Sequence, residues 1–476
     1  MKNKCAIFLK TCGIVLLVLI VGLLPFFVLA MLDHLPAQFD QTYYYGLKIK
    51  YERLSSLKNE KKIVVIGGSN VAFGIDSALM EKELGVPVVN FGLYADIGTV
   101  YMTDLALPCI GKGDVVVLIP ELDAQAYSGF YGARGILCAT EGNYAMRTVS
   151  SWENFLSLLK DYPDYLQKKT DLSKSGTKVV PEGVYAASSF NGRGDMCFLR
   201  EKNVMSGGYM TGNLPVTDRS LLTQEFADIV NAFTKKAEAR GARVYFSFPP
   251  VNERAVKATA EQLAEFSAAV RETFSCKVIS SLADRVMDAG YFYDSNYHTN
   301  DAGEIYNTVL LIGDLKRQAG DMRAVNVEIP APVTVEEPDP SGEKEENGFL
   351  YRMTAEGGIA LTGLTGKRAE EARVEVPAVL SGFAVTEIAD HAFQNCNAEE
   401  IVIPASVKKL GNGLFSGAER LSRVTLLETK MPTVGDGLFF GANAEVKIYL
   451  SSAIYDYCMT DYFWGRYGER LRRREE

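Results

Sequence analysis

The sequence predicts an α/β region with a parallel sheet, followed by a β-rich solenoid. Apolar strand patterns alternate with helical patterns from residue 61 onward, as in a parallel sheet with helices on both faces. Short strand motifs then recur at a regular spacing after residue 348, which is typical of stacked repeats. An uncharged run, 11–32, precedes both regions and predicts a transmembrane helix.

The N-terminal run predicts a membrane anchor. As a helix rising ~1.5 Å per residue, 11–32 would extend about 33 Å, which exceeds the ~30 Å hydrocarbon core of a bilayer. Lysines precede the run and Asp33 follows it. This charge bias predicts a cytoplasmic tail at 1–10, single-pass insertion in the plasma membrane, and an extracellular location for the rest of the chain.

A cleaved signal peptide is the alternative interpretation of this run. The segment Val28-Leu29-Ala30 would suit a processing enzyme, but the apolar cores of signal peptides are shorter, at about 7–15 residues. Under both interpretations, the remainder of the chain is exported across the membrane. Residues 33–60, rich in tyrosine and lysine, are predicted to form a helical stalk, and membrane lipid is the predicted partner of the anchor.

Composition argues against several functional classes. The net charge of −9 argues against general nucleic-acid binding, which needs a basic surface. The 8 cysteines form no C-x-x-C motif, and the 3 histidines are too few for a histidine-rich metal cluster. We therefore predict no metal, no cofactor and no nucleic-acid partner.

Region 61–324 is predicted to contain the parallel sheet. Its first strand is a continuous β-branched run, as in a strand buried on both faces. In such sheets the chemistry lies at the carboxyl ends of the strands. The predicted strands are 63–66, 86–91, 114–119, 244–248 and 277–280. The predicted helices are 76–83, 97–107, 150–167, 221–240, 261–274 and 301–317.

A serine follows the first predicted strand, directly after Gly67 and Gly68. These glycines let the backbone bend sharply and let a substrate approach Ser69. A serine nucleophile needs a base, and the base needs an orienting carboxylate. His298 is the best candidate base among the 3 histidines, and Asp294 is the candidate carboxylate. A plain tight turn and a helix-start histidine are the structural alternatives.

The order Ser69, Asp294, His298 in a parallel sheet resembles the SGNH (GDSL-type) hydrolase family, over roughly residues 61–319. The resemblance implies a flavodoxin-like three-layer fold and a serine esterase or acyltransferase. The same region is also similar to membrane-tethered members of that family, which transfer acyl groups on cell-envelope polymers. These roles for the three residues are implied by the resemblance.

The resemblance also implies where oxyanion and substrate contacts would lie. The family's second-block glycine maps onto Gly92, which lies close to Asn90. Gly68 and Asn70 flank the serine, and backbone N–H groups there could hold an oxyanion. Glu121, after the third strand, completes the predicted oxyanion and substrate set.

Two departures from the family pattern bear on activity. Ser295 stands where the family has the aspartate, and Glu121 lies where the family normally supplies an oxyanion asparagine. A carboxylate there would repel a developing oxyanion. Either Asn70 or backbone N–H groups stabilise the anion, or Glu121 has another task, or the site is weak or inactive. Loss of one oxyanion donor costs about 10²–10³ in rate.

Residues 325–347 and 348–476 are predicted to be a linker and a repeat region. The linker is acidic and rich in proline, as in solvated segments. Beyond it, strand motifs and inward aromatics recur, with phenylalanines at Phe393, Phe415 and Phe439. These units cannot bury their apolar faces alone but can do so by stacking. They resemble the BspA-like leucine-rich repeat family of surface proteins.

Three functional hypotheses arise from these patterns. The first is an extracytoplasmic serine esterase or O-acyltransferase that acts on acyl esters of envelope glycans, with the repeats binding protein or glycan. The second is a catalytically inactive surface binding or adhesion protein. The third is an accessory subunit that works with a membrane O-acyltransferase partner.

Overall fold

The computed structural model describes residues 11, 13, 35–176, 178–181, 183–210, 214–335, 342–354, 357–427, 431–458 and 462–474. The predicted tail at 1–10 and nearly all of the predicted anchor lie outside these residues. Among the described helices, none combines the length and apolar character needed to span a bilayer.

The N-terminal region contains a five-stranded parallel sheet. The strands of this region are β1 (Ile63–Gly67), β2 (Val88–Gly92), β3 (Val115–Ile119), β4 (Arg243–Phe246), β5 (Val251–Asn252), β6 (Lys277–Val278) and β7 (Val286–Met287). The strand order of the sheet is β2-β1-β3-β4-β6, and every neighbouring pair is parallel. β5 and β7 form a separate parallel pair.

Both faces of this sheet are buried. In β1, Val64 and Ile66 belong to one hydrophobic core, whereas Ile63 and Val65 belong to a second core. Successive side chains of a strand point to opposite faces, so each core lies on its own side of the sheet. This arrangement confirms the predicted α/β architecture with a parallel sheet.

Most predicted helices of the same region begin and end within three residues of their predicted positions, but the helix predicted at 150–167 continues to Ser175. Several are capped by the side chain of the residue just before the helix, such as Asp76, Ser151 and Thr259, which satisfies otherwise unpaired N–H groups. The helices are α1 (Tyr45–Ser56), α2 (Ser69–Gly74), α3 (Ser77–Leu84), α4 (Thr99–Ala106), α5 (Ala133–Ala139), α6 (Trp152–Ser175), α7 (Gln224–Ala239), α8 (Ala260–Thr273) and α9 (Asp301–Gln318).

The segment predicted as a stalk differs from that expectation where it is described. α1 packs against β2, and Tyr43, Leu47 and Leu54 are buried in the main core. The tyrosines and leucines of this segment bury apolar surface that a free stalk would leave in water. Helix α5 and the β5–β7 pair lacked a clear sequence pattern and were not predicted.

The C-terminal region is a β-rich solenoid with its own hydrophobic core. One sheet has the order β11-β14-β16-β18-β19, and the other has β17-β15-β13-β10-β9-β8 with β12 paired to β13. The strands are β8 (Lys344–Glu346), β9 (Phe349–Met353), β10 (Ile359–Leu364), β11 (Arg373–Glu375), β12 (Val379–Leu380), β13 (Phe383–Ile388), β14 (Glu400–Pro404), β15 (Lys409–Leu410), β16 (Arg423–Leu427), β17 (Thr433–Val434), β18 (Lys447–Leu450) and β19 (Leu471–Arg473); two short helices are α10 (Ser452–Cys458) and α11 (Tyr462–Gly465).

The recurring phenylalanines form a stacked column inside the solenoid. The ring centroids of Phe393 and Phe415 are 6.0 Å apart, and those of Phe415 and Phe439 are 5.2 Å apart. Tyr467 packs edge-on against Phe439 and ends the column. The repeats that contain these three phenylalanines therefore each contribute one aromatic ring to a shared core.

Part of the predicted linker is packed rather than solvated. Strand β8, which lies at the C-terminal end of the linker, pairs with β9 in the repeat sheet. At the start of the linker, the Val333 amide donates to the Gly290 carbonyl, and Tyr291 donates to the Pro330 carbonyl. Residues 336–341 of the linker lie outside the described residues.

Candidate functional site

Ser69 and Glu121 lie together at the carboxyl ends of β1 and β3. In sheets with this doubly wound strand order, ligands bind at the switch point between these two strands. The Ser69 hydroxyl donates to Glu121 Oε1 at 2.7 Å, and the Asn70 amide donates to the same oxygen at 2.9 Å. All three residues are buried.

The Asn70 side chain joins the ends of these two strands. Its Oδ1 accepts from the Gly68 amide at 3.1 Å, and its Nδ2 donates to the Ile119 carbonyl at 3.0 Å. Both the oxygen and the nitrogen of the Asn70 side-chain amide are therefore hydrogen-bonded within the fold. Its predicted role as an oxyanion donor stays a prediction.

His298 is held by a carboxylate that is itself held by a tyrosine. His298 Nδ1 lies 2.7 Å from Asp294 Oδ1, and the Tyr185 hydroxyl donates to Asp294 Oδ2 at 2.7 Å. The imidazole also stacks on Phe73 of α2, with ring centroids 4.1 Å apart. The sequence pattern paired Asp294 with His298 but gave no indication of Tyr185, which lies in a distant loop.

The serine and histidine lie in neighbouring loops without a direct hydrogen bond. Tyr297, next to His298, donates to the carbonyl of Leu122, next to Glu121, at 3.1 Å. Within the described part of the chain, the Ser69 hydroxyl bonds to Glu121 and not to His298. The predicted Ser69–His298 catalytic pair therefore stays a prediction.

A buried tyrosine lies within electrostatic reach of both halves of the site. Tyr43 is surrounded by aromatic rings, including Phe73 and Tyr185. Burial raises its pKa well above the ordinary value, and the charges of Asp294 and Glu121 add to the rise. In the described structure its hydroxyl has no hydrogen-bond partner, which is unusual for a buried polar group.

Asn90 and Gly92 shape the packing of the serine helix. The Asn90 amide donates to the Val71 and Ile75 carbonyls, and so fixes α2 and the turn after it. A Cβ atom at Gly92 would lie 2.4 Å from Val71 Cβ, so only glycine allows β2 to approach α2 this closely. The predicted substrate roles of Asn90 and Gly92 stay predictions beside these packing roles.

Arg200 ties the serine helix to the histidine loop. Its guanidinium donates to the Phe73 carbonyl at 2.9 Å and to the Thr299 carbonyl at 3.3 Å. It also pairs with Glu304 and Asp301 of α9. Arg200 is 1% exposed, and the sequence offered no periodic or motif signal that identified it.

A small cavity borders Glu121. Gly68, Tyr94 and Glu121 line this cavity of about 10 Å³, which is roughly the space that one water molecule needs. Ligand pockets are typically about 300–1,000 Å³, so this cavity by itself does not accommodate an acyl substrate. The described residues contain no cluster of histidine, cysteine and carboxylate side chains able to hold a metal ion.

The repeat region presents a sheet face that carries a row of charged side chains and one tyrosine. Its alternate residues are buried in the core, so the remaining positions point outward. One outward row aligns Arg373, Glu400, Arg423 and Lys447 across four strands. In the neighbouring row, Tyr449 lies under Arg423, whose guanidinium carbon is 3.6 Å from the ring centroid.

The comparisons with known proteins concern the repeats. Residues 384–462 match the family model for BspA type leucine rich repeat region (6 copies). This match confirms the predicted BspA-like repeats. The search of curated proteins found no match, and the resemblance of 61–319 to SGNH hydrolases stays a prediction.

Two solved structures are similar to part of this chain. A leucine rich cell surface protein from Faecalibacterium prausnitzii is 24% identical, with 24% of this chain and 30% of that chain covered at a TM-score of 0.21. A leucine-rich repeat protein from Bacteroides capillosus is 19% identical, with 23% of this chain and 99% of that chain covered at a TM-score of 0.20. The family match by itself places a BspA-type leucine rich repeat region at residues 384–462, in the C-terminal part of this chain.

Proposed function

We propose that this chain is a surface binding protein that recognises a protein or a glycan through its leucine-rich repeats. The supporting observation is the outward sheet face described above, where the β11-β14-β16-β18-β19 ladder aligns charged and aromatic side chains. Stacked repeats form extended surfaces of this kind, and proteins use them for binding. Arginine and tyrosine are among the residues most enriched in binding hot spots.

The double variant Arg423→Ala, Tyr449→Ala tests this proposal. We expect its affinity for the bound partner to fall about tenfold or more, equivalent to about 1.4 kcal/mol, because two contact side chains are removed. The partner is found with an array of envelope glycans and surface proteins, and dissociation constants are then measured by calorimetry with the full chain.

Lys409→Ala is the matched control. Lys409 lies on the opposite sheet and pairs with Glu387 at 3.4 Å, as Arg423 pairs with Glu400 at 3.4 Å. The control should keep wild-type affinity. Equal loss in the control, or unchanged binding by the double variant, would contradict recognition by this face.

A second candidate function is serine esterase or acyltransferase activity in the α/β region. Two observations favour it. Ser69 lies at the carboxyl end of β1, where parallel sheets bind ligands, and His298 is oriented by Asp294 and Tyr185, as an acid–base histidine requires. With the proposed N-terminal anchor, its substrates would be acyl esters of envelope glycans. A membrane O-acyltransferase is its proposed partner.

Labelling with a fluorophosphonate probe tests the second candidate. The wild-type chain should be labelled and should hydrolyse p-nitrophenyl acetate, because an activated serine attacks both reagents. Ser69→Ala should lose both reactions, whereas Ser77→Ala should keep them. Ser77 is also buried but donates to Asp195 rather than to Glu121. Equal labelling of wild type and Ser69→Ala would rule out Ser69 as the nucleophile.

A further inference from the structure

We propose that Glu121, rather than His298, is the general base that takes the proton from Ser69. This inference rests on the second candidate function. In the described structure, the Ser69 hydroxyl already donates to Glu121 Oε1 at 2.7 Å, which is within the range required of a base and its nucleophile. Such a role would explain why a carboxylate stands where the family resemblance predicts an oxyanion asparagine.

The fold holds the Glu121 carboxylate against the serine. The Asn70 amide fixes Oε1 from the backbone at 2.9 Å. A Cβ atom added at Gly68 would lie 3.0 Å from the same oxygen, so a glycine at this position gives the carboxylate room to reach Ser69. Glu121 is only 5% exposed, and its bond to the serine is therefore shielded from competing water.

His298 is fixed by other contacts. Its Nδ1 is engaged by Asp294, and its ring is stacked on Phe73. A histidine that took the serine proton would need Nε2 next to Ser69, and the only hydrogen bond of the Ser69 hydroxyl in the described structure goes to Glu121. In the described structure, His298 therefore contacts Asp294 and Phe73, whereas Ser69 contacts Glu121.

The proposed step balances without a cofactor. The Ser69 O–H bond breaks, its proton passes to Glu121, and the Ser69 oxygen bonds to the acyl carbonyl carbon. The carbonyl π electrons move to the carbonyl oxygen. When this intermediate collapses, the bond to the leaving alcohol breaks, and the alcohol oxygen takes the proton from Glu121. The reverse sequence, with water or a sugar hydroxyl as acceptor, releases the acyl group.

Other ionisable groups face this carboxylate. Asp123 lies in the same loop, and burial, with the charge of Glu121 as a second cause, raises its pKa to about 6. Tyr43 and Tyr297 are also within electrostatic reach of Glu121. A pH profile alone could therefore reflect several groups, so each variant must be compared with wild type.

The experiment measures the rate of fluorophosphonate labelling against pH for wild type, Glu121→Gln, Glu121→Asp and His298→Gln. Glutamine keeps an oxygen that can accept from Ser69 and Asn70 but is not a base. We expect Glu121→Gln to label about 10²–10⁴-fold more slowly than wild type. His298→Gln should slow labelling less than Glu121→Gln does, and Glu121→Asp should recover part of the rate.

Two outcomes separate this inference from the function on which it rests. If wild type labels and Glu121→Gln labels at the wild-type rate while His298→Gln does not, Glu121 is not the base and the serine chemistry stands. If wild type does not label at all, the acyl-transfer function fails and the role of Glu121 fails with it. Thermal unfolding of each variant verifies that slow labelling is not caused by misfolding.

Discussion

Replacement of Arg200 by alanine should lower the free energy of unfolding of the α/β region by about 3–5 kcal/mol, the usual cost of removing one partner from a buried ion pair. Arg200 is 1% exposed and pairs with Glu304. Its loss also leaves the carbonyls of Phe73 and Thr299 without this donor.

The loss of stability caused by Arg200→Ala should grow as the pH rises above about 8. With Arg200 present, burial raises the pKa of Glu304 to about 8, and Arg200 opposes that rise. Without Arg200 this pKa rises further. Below pH about 8 both folded proteins hold the Glu304 proton, whereas above it the folded wild type releases the proton and the folded variant still holds it. The unfolded variant has already released the proton, so it binds fewer protons than the folded variant, and the stability of the variant falls further below that of wild type.

Hydrogen exchange in increasing urea measures this effect, because peptides from each hydrophobic core report separately. Arg219→Ala is the control. Arg219 pairs with Glu272 at the surface, both side chains being 69% exposed, and exposed pairs contribute about 0–1 kcal/mol. If Arg200→Ala lowers the free energy of unfolding no more than Arg219→Ala does, the contacts of Arg200 with the serine helix and the histidine loop do not stabilise the fold.

Phe415→Ala should lower the free energy of unfolding of the repeat region by about 3–5 kcal/mol, as expected for deletion of a buried aromatic side chain. Phe415 is 1% exposed and lies in the middle of the column, stacked between Phe393 and Phe439. Its removal opens a cavity and also separates two neighbouring repeats, on whose contact a solenoid depends.

An exposed phenylalanine of the next repeat is the control for this prediction. Phe440 is 73% exposed, so Phe440→Ala should change stability by no more than about 0.5 kcal/mol. Both variants remove the same type of side chain, from neighbouring repeats of one solenoid. Similar effects, measured by hydrogen exchange on peptides of 384–458, would contradict the stacked column as the source of stability.

The sequence by itself determined the parts of this protein that depend on local pattern. The β-branched run of β1 specified a strand buried on both faces, because such a strand has no polar side to expose. Phe393, Phe415 and Phe439 specified the repeats, because equivalent positions must stack to bury their rings. Asp294 and His298 share one short loop, which brought them together regardless of the remaining fold.

Only the tertiary structure decided which groups contact Ser69 and His298. Glu121 reaches Ser69 because β1 and β3 are neighbours in the sheet, and Tyr185 reaches Asp294 from a separate loop. Arg200 joins α2 to α9 across still longer separations. No local periodicity encodes such contacts, since the chain must first order the whole sheet before these side chains meet. For the same reason, the local sequence pattern of the predicted stalk did not reveal that α1 packs on the sheet. Its apolar side chains are buried only when the rest of the core has formed.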